Sequence, residues 1–302
     1  MPIKHGRVFI LFQQIRGMEK FLLVGPNCAD LAPPNIQIKK FHDCENYIYI
    51  PEIEKLKGKN VTILQRCYPD QDSRLLQFFQ ILSAVKPVAS KVSAIIPYLP
   101  YSRQDEISRP GETDSATMIS KLLSSAGLDE LITFDCHFLE SGERKKNVAG
   151  LNIENRSIVS DLLNYVSPRV SNPVFIAPDQ GAAHFVEKLG GVSMEKTLGE
   201  YIHGPVAFRQ ITSEKLDADI TGRDVILIDD MIISGETMVK AAQVCKKGGA
   251  KRIVCASVHG LLVGCAFDKI RAAGAKEVVV SDSVTSPAAV VSIRNRLKDF
   301  LE

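Results

Sequence analysis

The chain has 302 residues, of which 45% are hydrophobic and 24% charged, and its 37 basic and 35 acidic residues leave a formal net charge of +2. This composition excludes a disordered or fibrous protein, and the balanced charge gives no electrostatic reason to bind nucleic acid or an anionic membrane. No segment approaches the roughly 20 apolar residues of a membrane span. The length predicts about two domains of roughly 150 residues each.

Short apolar runs rich in β-branched residues recur along the chain and predict strands. They lie at residues 61–65, 92–96, 131–134, 174–177, 225–228, 253–256 and 278–280. Each run is too short for a helix. Because the runs are continuously apolar rather than alternating, they predict strands buried on both faces, as in a parallel sheet.

Amphipathic stretches between these runs predict helices at residues 73–86, 114–125 and 237–247. The first should bury one apolar stripe, made of Leu75, Leu76, Phe79, Leu82 and Val85. The second begins at a candidate cap, Asp114, and ends at Gly127. The alternation of strands and helices predicts an α/β fold with mostly parallel sheets flanked by helices.

Residues 126–135 and 273–282 resemble each other. Both segments contain a helix end, a glycine stop, a strand and then an aspartate at the carboxyl end of that strand. This echo predicts two similar domains. A polar stretch around Gly150 indicates the boundary, with an N-terminal domain over residues 1–150 and a C-terminal domain over residues 151–302.

The seven cysteines are scattered through apolar stretches. No two of them have the close spacing of a zinc knuckle or a CxxC redox pair. Such usage is typical of a reducing cytosol. The apolar run near the N-terminus is too short for a signal peptide, so we expect a cytoplasmic protein.

Residues 225–238 carry the strongest chemical signal. A buried strand leads into Asp229 and Asp230, and a short loop with Ser234, Gly235 and Thr237 then opens a helix. A helix N-terminus supplies free N–H groups and a positive dipole end for a phosphate. The carboxylates would repel a phosphate, so they suit sugar hydroxyls or a bridging cation. The segment predicts a sugar-phosphate site; the alternative is an ordinary helix cap with a solvated acidic pair.

This segment resembles the 5-phosphoribosyl-diphosphate loop of phosphoribosyltransferases and of ribose-phosphate diphosphokinases. Further segments are similar to the diphosphokinase family, and residues 108–112 look more like its archaeal-type branch. They are Lys-Lys-Phe-His-Asp-Cys-Glu at 39–45, Tyr-Leu-Pro-Tyr-Ser-Arg-Gln-Asp at 98–105, Phe-Asp-Cys-His at 134–137, Ala-Pro-Asp-Gln-Gly at 177–181 and Val-His-Gly-Leu at 258–261. The resemblance covers residues 41–286, most of the chain.

The resemblance implies two domains of phosphoribosyltransferase type and a set of binding residues in each. The N-terminal set would bind ATP: Phe41, Asp43, Glu45, Arg103, Gln104 and His137. The C-terminal set would bind ribose 5-phosphate: Asp229, Asp230, Ser234, Gly235 and Thr237. Mg²⁺ would be held by His137 and Asp179. A homo-oligomer is implied as well, because in this family the loop at Phe41 reaches the ATP of a neighbouring subunit.

Several of these residues also have plain structural interpretations. Arg103 alone would be a surface residue, and His137 alone could be a core histidine with satisfied hydrogen bonds. Asp179 could be the N-cap of the following helix. The segment from Phe41 to Glu45 could be an amphipathic edge.

The implied reaction transfers the β,γ-diphosphoryl group of ATP to the C1 hydroxyl of ribose 5-phosphate, giving 5-phosphoribosyl 1-diphosphate and AMP. In the family a loop with a Lys-x-Arg pair clamps the transferring group. Here Lys196 is present, but Leu198 replaces the arginine. Arg144, Arg209 or another cation could supply the missing charge.

The phosphate loop departs from the family pattern as well. Ile233 and Glu236 occupy positions that are usually small or glycine, and Glu236 adds a negative charge beside the proposed phosphate site. These departures keep a catalytically weak or inactive regulatory subunit open as an alternative. A phosphoribosyltransferase is a third possibility.

Overall fold

The computed structural model describes residues 12–15, 18–139, 145–202 and 208–301, with side chains for all of these except residues 12–15, 18–20, 196–202, 208–214 and 301. The chain divides into two compact units. The first comprises Met1–Arg156 together with Ile293–Glu302, and the second comprises Ser157–Ser292. Among the described helices, none combines the length and apolarity needed to cross a membrane.

The first unit is built on a seven-stranded sheet in the order β1-β2-β5-β6-β7-β9-β8. Its strands are β1 Phe12–Ile15, β2 Met18–Val24, β5 Asn60–Leu64, β6 Lys91–Ile95, β7 Glu130–Phe134, β8 Lys145–Val148 and β9 Leu151–Arg156. The five inner strands, from β2 to β9, pair in parallel, and the two edge strands pair antiparallel with their neighbours. A separate hairpin joins β3 Gln37–Lys40 to β4 Asn46–Tyr49.

Two helices of the first unit match the predicted ones, α1 Gln71–Val85 and α2 Ser115–Ser125. The predicted stripe of α1 was partly wrong, because Leu76 is 56% exposed while Phe78 and Ile81 are fully buried. Between Leu75 and Val85, apolar residues lie on more than one face of the helix. Periodicity alone therefore does not identify the buried face.

The second unit is built on a six-stranded, wholly parallel sheet in the order β11-β10-β14-β15-β16-β17. Its strands are β10 Val174–Ala177, β11 Val192–Ser193, β14 Asp224–Ile232, β15 Arg252–Gly260, β16 Glu277–Ser281 and β17 Ala289–Val291. A hairpin of β12 Glu195–Ile202 and β13 Phe208–Lys215 forms a separate two-stranded sheet. The helices are α3 Val159–Val166, α4 Ala183–Glu187, α5 Glu236–Lys247 and α6 Ala266–Ala273.

All seven predicted strands are present in these two sheets, and the predicted α/β class is confirmed. The internal echo is also structural. Gly127 and Gly274 both have positive φ, at 96° and 123°, and each precedes a parallel strand, β7 or β16. In both units the central parallel strands lie side by side in chain order.

The division between the units differs from the predicted one at residue 150. Strand β9 pairs with β7 and β8, so the first unit extends to Arg156. The last residues of the chain, which include α7 Lys298–Leu301, belong to the first unit as well. Arg156 holds them: its Nη1 donates to the carbonyl of Arg296 at 3.0 Å, and its guanidinium lies 5.1 Å from the ring centroid of Phe300.

The start of α2 offers a direct test of the local structure. Asp114 Oδ1 accepts a hydrogen bond from the backbone N–H of Thr117 at 2.8 Å, which is an N-cap contact. Asp114→Ala should lower the free energy of unfolding by about 1 kcal/mol, whereas Asp114→Asn should keep most of that stability because its amide oxygen can still accept the bond. Urea denaturation measures both, and equal losses in the two variants would contradict the assignment.

Candidate active-site residues

The acidic pair of the second unit lies inside a strand. β14 continues through Asp229 and Asp230 to Ile232, whereas the sequence predicted that the strand would end before the pair. Residues 224–228 are buried, and the two aspartates are half-buried. Asp229 Oδ1 accepts the backbone N–H of Asp230 at 2.9 Å. The pair therefore has a backbone fixed by the sheet rather than by a loop.

Asp179 lies beside this pair. It is the second residue after the end of β10, the parallel neighbour of β14. It is the N-cap residue of a short 3₁₀ turn, Gln180–Ala182, but its side chain makes no capping hydrogen bond. The predicted N-cap position of Asp179 is therefore confirmed. Its side chain does not cap the turn, so capping does not explain why an aspartate occupies this position.

The electrostatics of Asp229 reflect this crowding. Burial raises its pKa well above the usual range, and the charges of Asp230 and Asp179 raise it further. The charges of Asp230 and Asp179 repel that of Asp229, and a divalent cation or hydroxyl donors would relieve this repulsion. The donor set fits Mg²⁺, which is typically held by one or two carboxylates together with substrate oxygens. Within the described ranges, no group of three or more His, Cys, Asp or Glu side chains forms a ready metal site.

The predicted phosphate loop follows immediately. Helix α5 begins at Glu236, and Gly235 before it has φ +78°. A Cβ built on Gly235 would lie 3.1 Å from the Cβ of Ala266, so both the backbone angle and the packing favour glycine here. Ser234 is exposed and Thr237 half-buried. Glu236 is exposed in the first turn, where it favours the helix dipole but opposes an incoming phosphate.

Lys196 and Leu198 lie in strand β12 of the hairpin rather than in an irregular loop. In the backbone register Lys196 faces Glu214, Leu198 faces Ile211, and the pairing is irregular on both sides of Leu198. The side chains of both residues, and that of Arg209 in β13, lie outside the described part of the chain, as does the whole of Arg144. The role of Lys196 stays a prediction.

In the first unit, Gln104 is tied to the start of α2. Its side-chain oxygen accepts the hydroxyls of Ser115 at 2.7 Å and Thr113 at 3.1 Å, and its backbone carbonyl accepts the N–H of Ala116 at 3.1 Å. Because the amide oxygen is occupied by these hydroxyls, the amide nitrogen is the group that Gln104 can offer to a ligand as a donor. Arg103, next to it, is exposed. Arg103 and Gln104 therefore offer hydrogen-bond donors from a backbone that is bonded to the start of α2.

Sequence reasoning missed Tyr101 in the same segment. Tyr101 has φ +64°, and its hydroxyl donates a short hydrogen bond to Asp72 near the start of α1. That bond is the main cause of the raised pKa of Tyr101. The residue lies within the motif at 98–105, which is the signal that could have identified it.

His137 follows β7 and is exposed, which disfavours the core-histidine interpretation. Asp135, two residues earlier, is buried with φ +35°. The backbone N–H of Cys136 donates to Asn155 at 3.0 Å, which fixes the turn that presents His137. His137 belongs to the first unit and Asp179 to the second, so their shared metal site stays a prediction.

The segment from Phe41 to Glu45 forms the turn of the β3–β4 hairpin. Asp43 Oδ1 accepts the backbone N–H of Glu45 at 3.1 Å, and Phe41 packs edge-on against Tyr47 with ring centroids 5.5 Å apart. Phe41 and Tyr47 are nevertheless exposed, as is Tyr49. The hairpin therefore presents an aromatic surface with acidic groups at its tip.

Two family models, curated relatives and a solved structure match this chain. Residues 27–127 match the model for the N-terminal domain of ribose phosphate pyrophosphokinase, and residues 205–298 match the phosphoribosyl synthetase-associated domain. The ribose-phosphate pyrophosphokinase of Sulfolobus acidocaldarius is 32% identical, covering 85% of this chain and 87% of the relative. That of Pyrococcus abyssi is 31% identical, covering 86% and 87%. The phosphoribosylpyrophosphate synthetase structure from Mycobacterium smegmatis has a TM-score of 0.77 at 25% identity, covering 93% and 96%.

The repulsion at Asp229 can be measured as a change in stability. Asp230→Asn should raise the unfolding temperature at about pH 7 by roughly 2–4 °C, the shift expected for about 1 kcal/mol. Because the pKa of Asp229 is raised in the folded protein, its ionised carboxylate lowers the free energy of unfolding at neutral pH. This loss is recovered as the pH falls through that pKa. The gain should therefore vanish at about pH 3, where Asp229 is protonated and no longer repels Asp230.

Calorimetry at the two pH values checks this, with Asp219→Asn as the matched control in the same unit. Asp219 accepts the backbone N–H of Thr221 at 3.0 Å, and this bond lowers its pKa. Its replacement should give no gain at neutral pH. A gain in both variants, or in neither, would refute the proposed repulsion.

Proposed function

The chain belongs to the ribose-phosphate pyrophosphokinase family, and from this premise we propose that it transfers the β,γ-diphosphoryl group of ATP to the C1 hydroxyl of ribose 5-phosphate. The products are 5-phosphoribosyl 1-diphosphate and AMP. The observation that carries the proposal is the acidic pair Asp229–Asp230, crowded by Asp179 and followed within a few residues by the N-terminus of α5.

Ribose 5-phosphate has hydroxyls at one end and a phosphate at the other, and the second unit offers matching groups in that order. Asp229 and Asp230 accept hydrogen bonds from the ribose hydroxyls, directly or through a cation. Ser234, Gly235 and Thr237 hold the 5-phosphate with hydroxyls and with the backbone N–H groups of the first turn. The left-handed Gly235 lets the backbone turn into α5 at this point.

ATP is assigned to the first unit. Arg103 offers a planar, permanently charged donor to polyphosphate oxygens, and the amide nitrogen of Gln104 donates to an adenine or ribose edge. His137 and Asp179 are the proposed magnesium ligands. Mg²⁺, when bound with ATP, would neutralise charge on the transferring diphosphoryl group. Phe41, Asp43 and Glu45 would meet ATP bound to a second copy of the chain, so the proposal includes a homo-oligomer.

The step itself is an in-line displacement. The C1 hydroxyl oxygen attacks the β-phosphorus, the bond from that phosphorus to the α,β-bridging oxygen breaks, and AMP leaves with the bridging oxygen. The hydroxyl proton passes to solvent. The protein contributes positioning and charge, as in other phosphoryl transfers. Lys196 would stabilise the transferring group with its ammonium.

A cytoplasmic location fits these substrates. The seven cysteines, all of them among the described residues, form no disulfide, as expected in a reducing compartment. The match of residues 27–127 to a synthetase N-terminal domain favours this reaction over that of a simple phosphoribosyltransferase. Leu198 and Glu236 favour the second candidate, a synthetase-like regulatory subunit, because each weakens the positive potential needed at a phosphate.

AMP release from MgATP, with and without ribose 5-phosphate, tests the proposal. Wild-type protein should release AMP only when the sugar is present. Asp229→Ala should lower the rate by at least about a hundredfold by removing a sugar ligand, and Lys196→Ala by a similar factor by removing a transition-state charge. Lys247→Ala, an exposed lysine at the far end of α5, is the matched control and should leave the rate unchanged.

The absence of AMP, with ribose 5-phosphate or ATP still bound, would reject the enzyme and favour the regulatory subunit. AMP release that does not depend on the sugar would instead indicate ATP hydrolysis.

A further inference from the structure

A cluster of buried polar side chains lies at the carboxyl ends of β15 and β16 and has no role in the reaction described above. Its members are Ser257, His259, Ser281 and Ser283, each at most 1% exposed. Buried polar groups are costly unless they are hydrogen-bonded. Their number at this one point suggests that they hold a particular backbone geometry.

The hydrogen bonds of the cluster favour one tautomer of His259. Its Nδ1 lies 2.8 Å from the hydroxyl of Ser283, and that hydroxyl donates to the carbonyl of Val258 at 3.1 Å. A hydroxyl has only one proton to give. With its proton directed at Val258, Ser283 accepts from His259, and this arrangement assigns the imidazole proton to Nδ1. Ser281 also donates to the carbonyl of Val258, at 2.6 Å, and accepts the backbone N–H of Ser283.

His259 lies immediately before residues 260–265, and its bond to Ser283 fixes the point at which this segment begins. This segment has an unusual backbone: Leu262 and Cys265 both have left-handed angles, with φ +52° and +62°. Side chains larger than glycine adopt that region at a cost, and they do so where surrounding contacts hold them. Gly260 is equally constrained, since a Cβ there would lie 2.6 Å from a methyl group of Val280.

The anchored segment in turn supports the phosphate loop. The backbone N–H of Leu262 donates to the carbonyl of Ile232 at 3.0 Å, and that of Val263 donates to Ile233 at 2.9 Å. Both acceptors immediately precede Ser234. Gly235 then packs against Ala266, the first residue of α6, at the close approach described above.

We propose that His259 is a positioning residue for the 5-phosphate of ribose 5-phosphate. It does not touch the sugar phosphate. It donates from Nδ1 to Ser283, the bond holds residues 260–265, and those residues hold the backbone of residues 232–235 in the conformation that presents its N–H groups to a phosphate monoester. The inference rests on the proposed function, because it names what sets the geometry of the same site.

The test compares two substitutions of nearly equal size. His259→Leu removes the donor, whereas His259→Asn keeps an N–H donor close to the position of Nδ1. Ser283→Ala removes the same bond from the other partner and serves if His259→Leu does not fold. Val254→Ala, a fully buried residue nearer the amino end of the same strand, controls for general loss of stability.

Calorimetric titration of the full chain gives the dissociation constants of ribose 5-phosphate and ATP separately. His259→Leu and Ser283→Ala should each weaken ribose 5-phosphate binding by about tenfold, the effect of losing one buried hydrogen bond. ATP binding should not change. His259→Asn should bind the sugar phosphate within about threefold of wild type, and Val254→Ala should match wild type.

Wild-type affinity in His259→Leu and Ser283→Ala would overturn the inference while leaving the proposed function intact. So would equal losses in His259→Leu, His259→Asn and Val254→Ala, because the effect would then follow stability rather than the donor. If wild-type protein does not bind ribose 5-phosphate, the proposed function itself fails, and this inference fails with it.

Discussion

The parallel pairing of β14 with β10 on one side and β15 on the other determines the chemistry of the second unit. Asp229 pairs in register with Ser257, and β10 delivers Asp179 to the same edge. Carboxylates would separate in water, but here the backbone ladder fixes them while burial and mutual charge raise the pKa of Asp229. Holding these carboxylates together lowers the stability of the folded protein, and a substrate hydroxyl or a cation relieves that loss. Such a loss of stability at a functional site is common.

The two units use the same strand arrangement for different chemistry. In the first unit the strand in the position of β14 is β5, and it leads into Gln65 and Arg66, both fully buried. Arg66 forms two hydrogen bonds to the carboxylate of Asp30, at 2.5 and 2.8 Å. A buried arginine paired with an aspartate therefore follows β5, whereas β14 carries the acidic pair Asp229 and Asp230. The difference agrees with assigning the sugar to the second unit alone.

The buried strands could be predicted from the sequence because each is a continuous apolar run, and α5 because its glycines and phosphate-loop residues mark its ends. The extension of β14 through Asp229 and Asp230 could not, since charged residues normally signal the end of a buried strand and only pairing with β15 keeps them in it. The hairpins β3–β4 and β12–β13 were missed because polar residues interrupt the apolar pattern of their strands. The return of the C-terminus to Arg156 is a long-range contact that local patterns do not encode.

We expect the chain to move a diphosphoryl group intact, despite Leu198 in β12 and Glu236 at the start of α5. Phosphorus NMR of wild-type protein with MgATP and ribose 5-phosphate follows every phosphorus atom in the reaction. The ATP signals should give way to the signal of AMP and to two coupled signals of a sugar-linked diphosphate, in equal amounts. ADP with inorganic phosphate, or unchanged ATP, would contradict it.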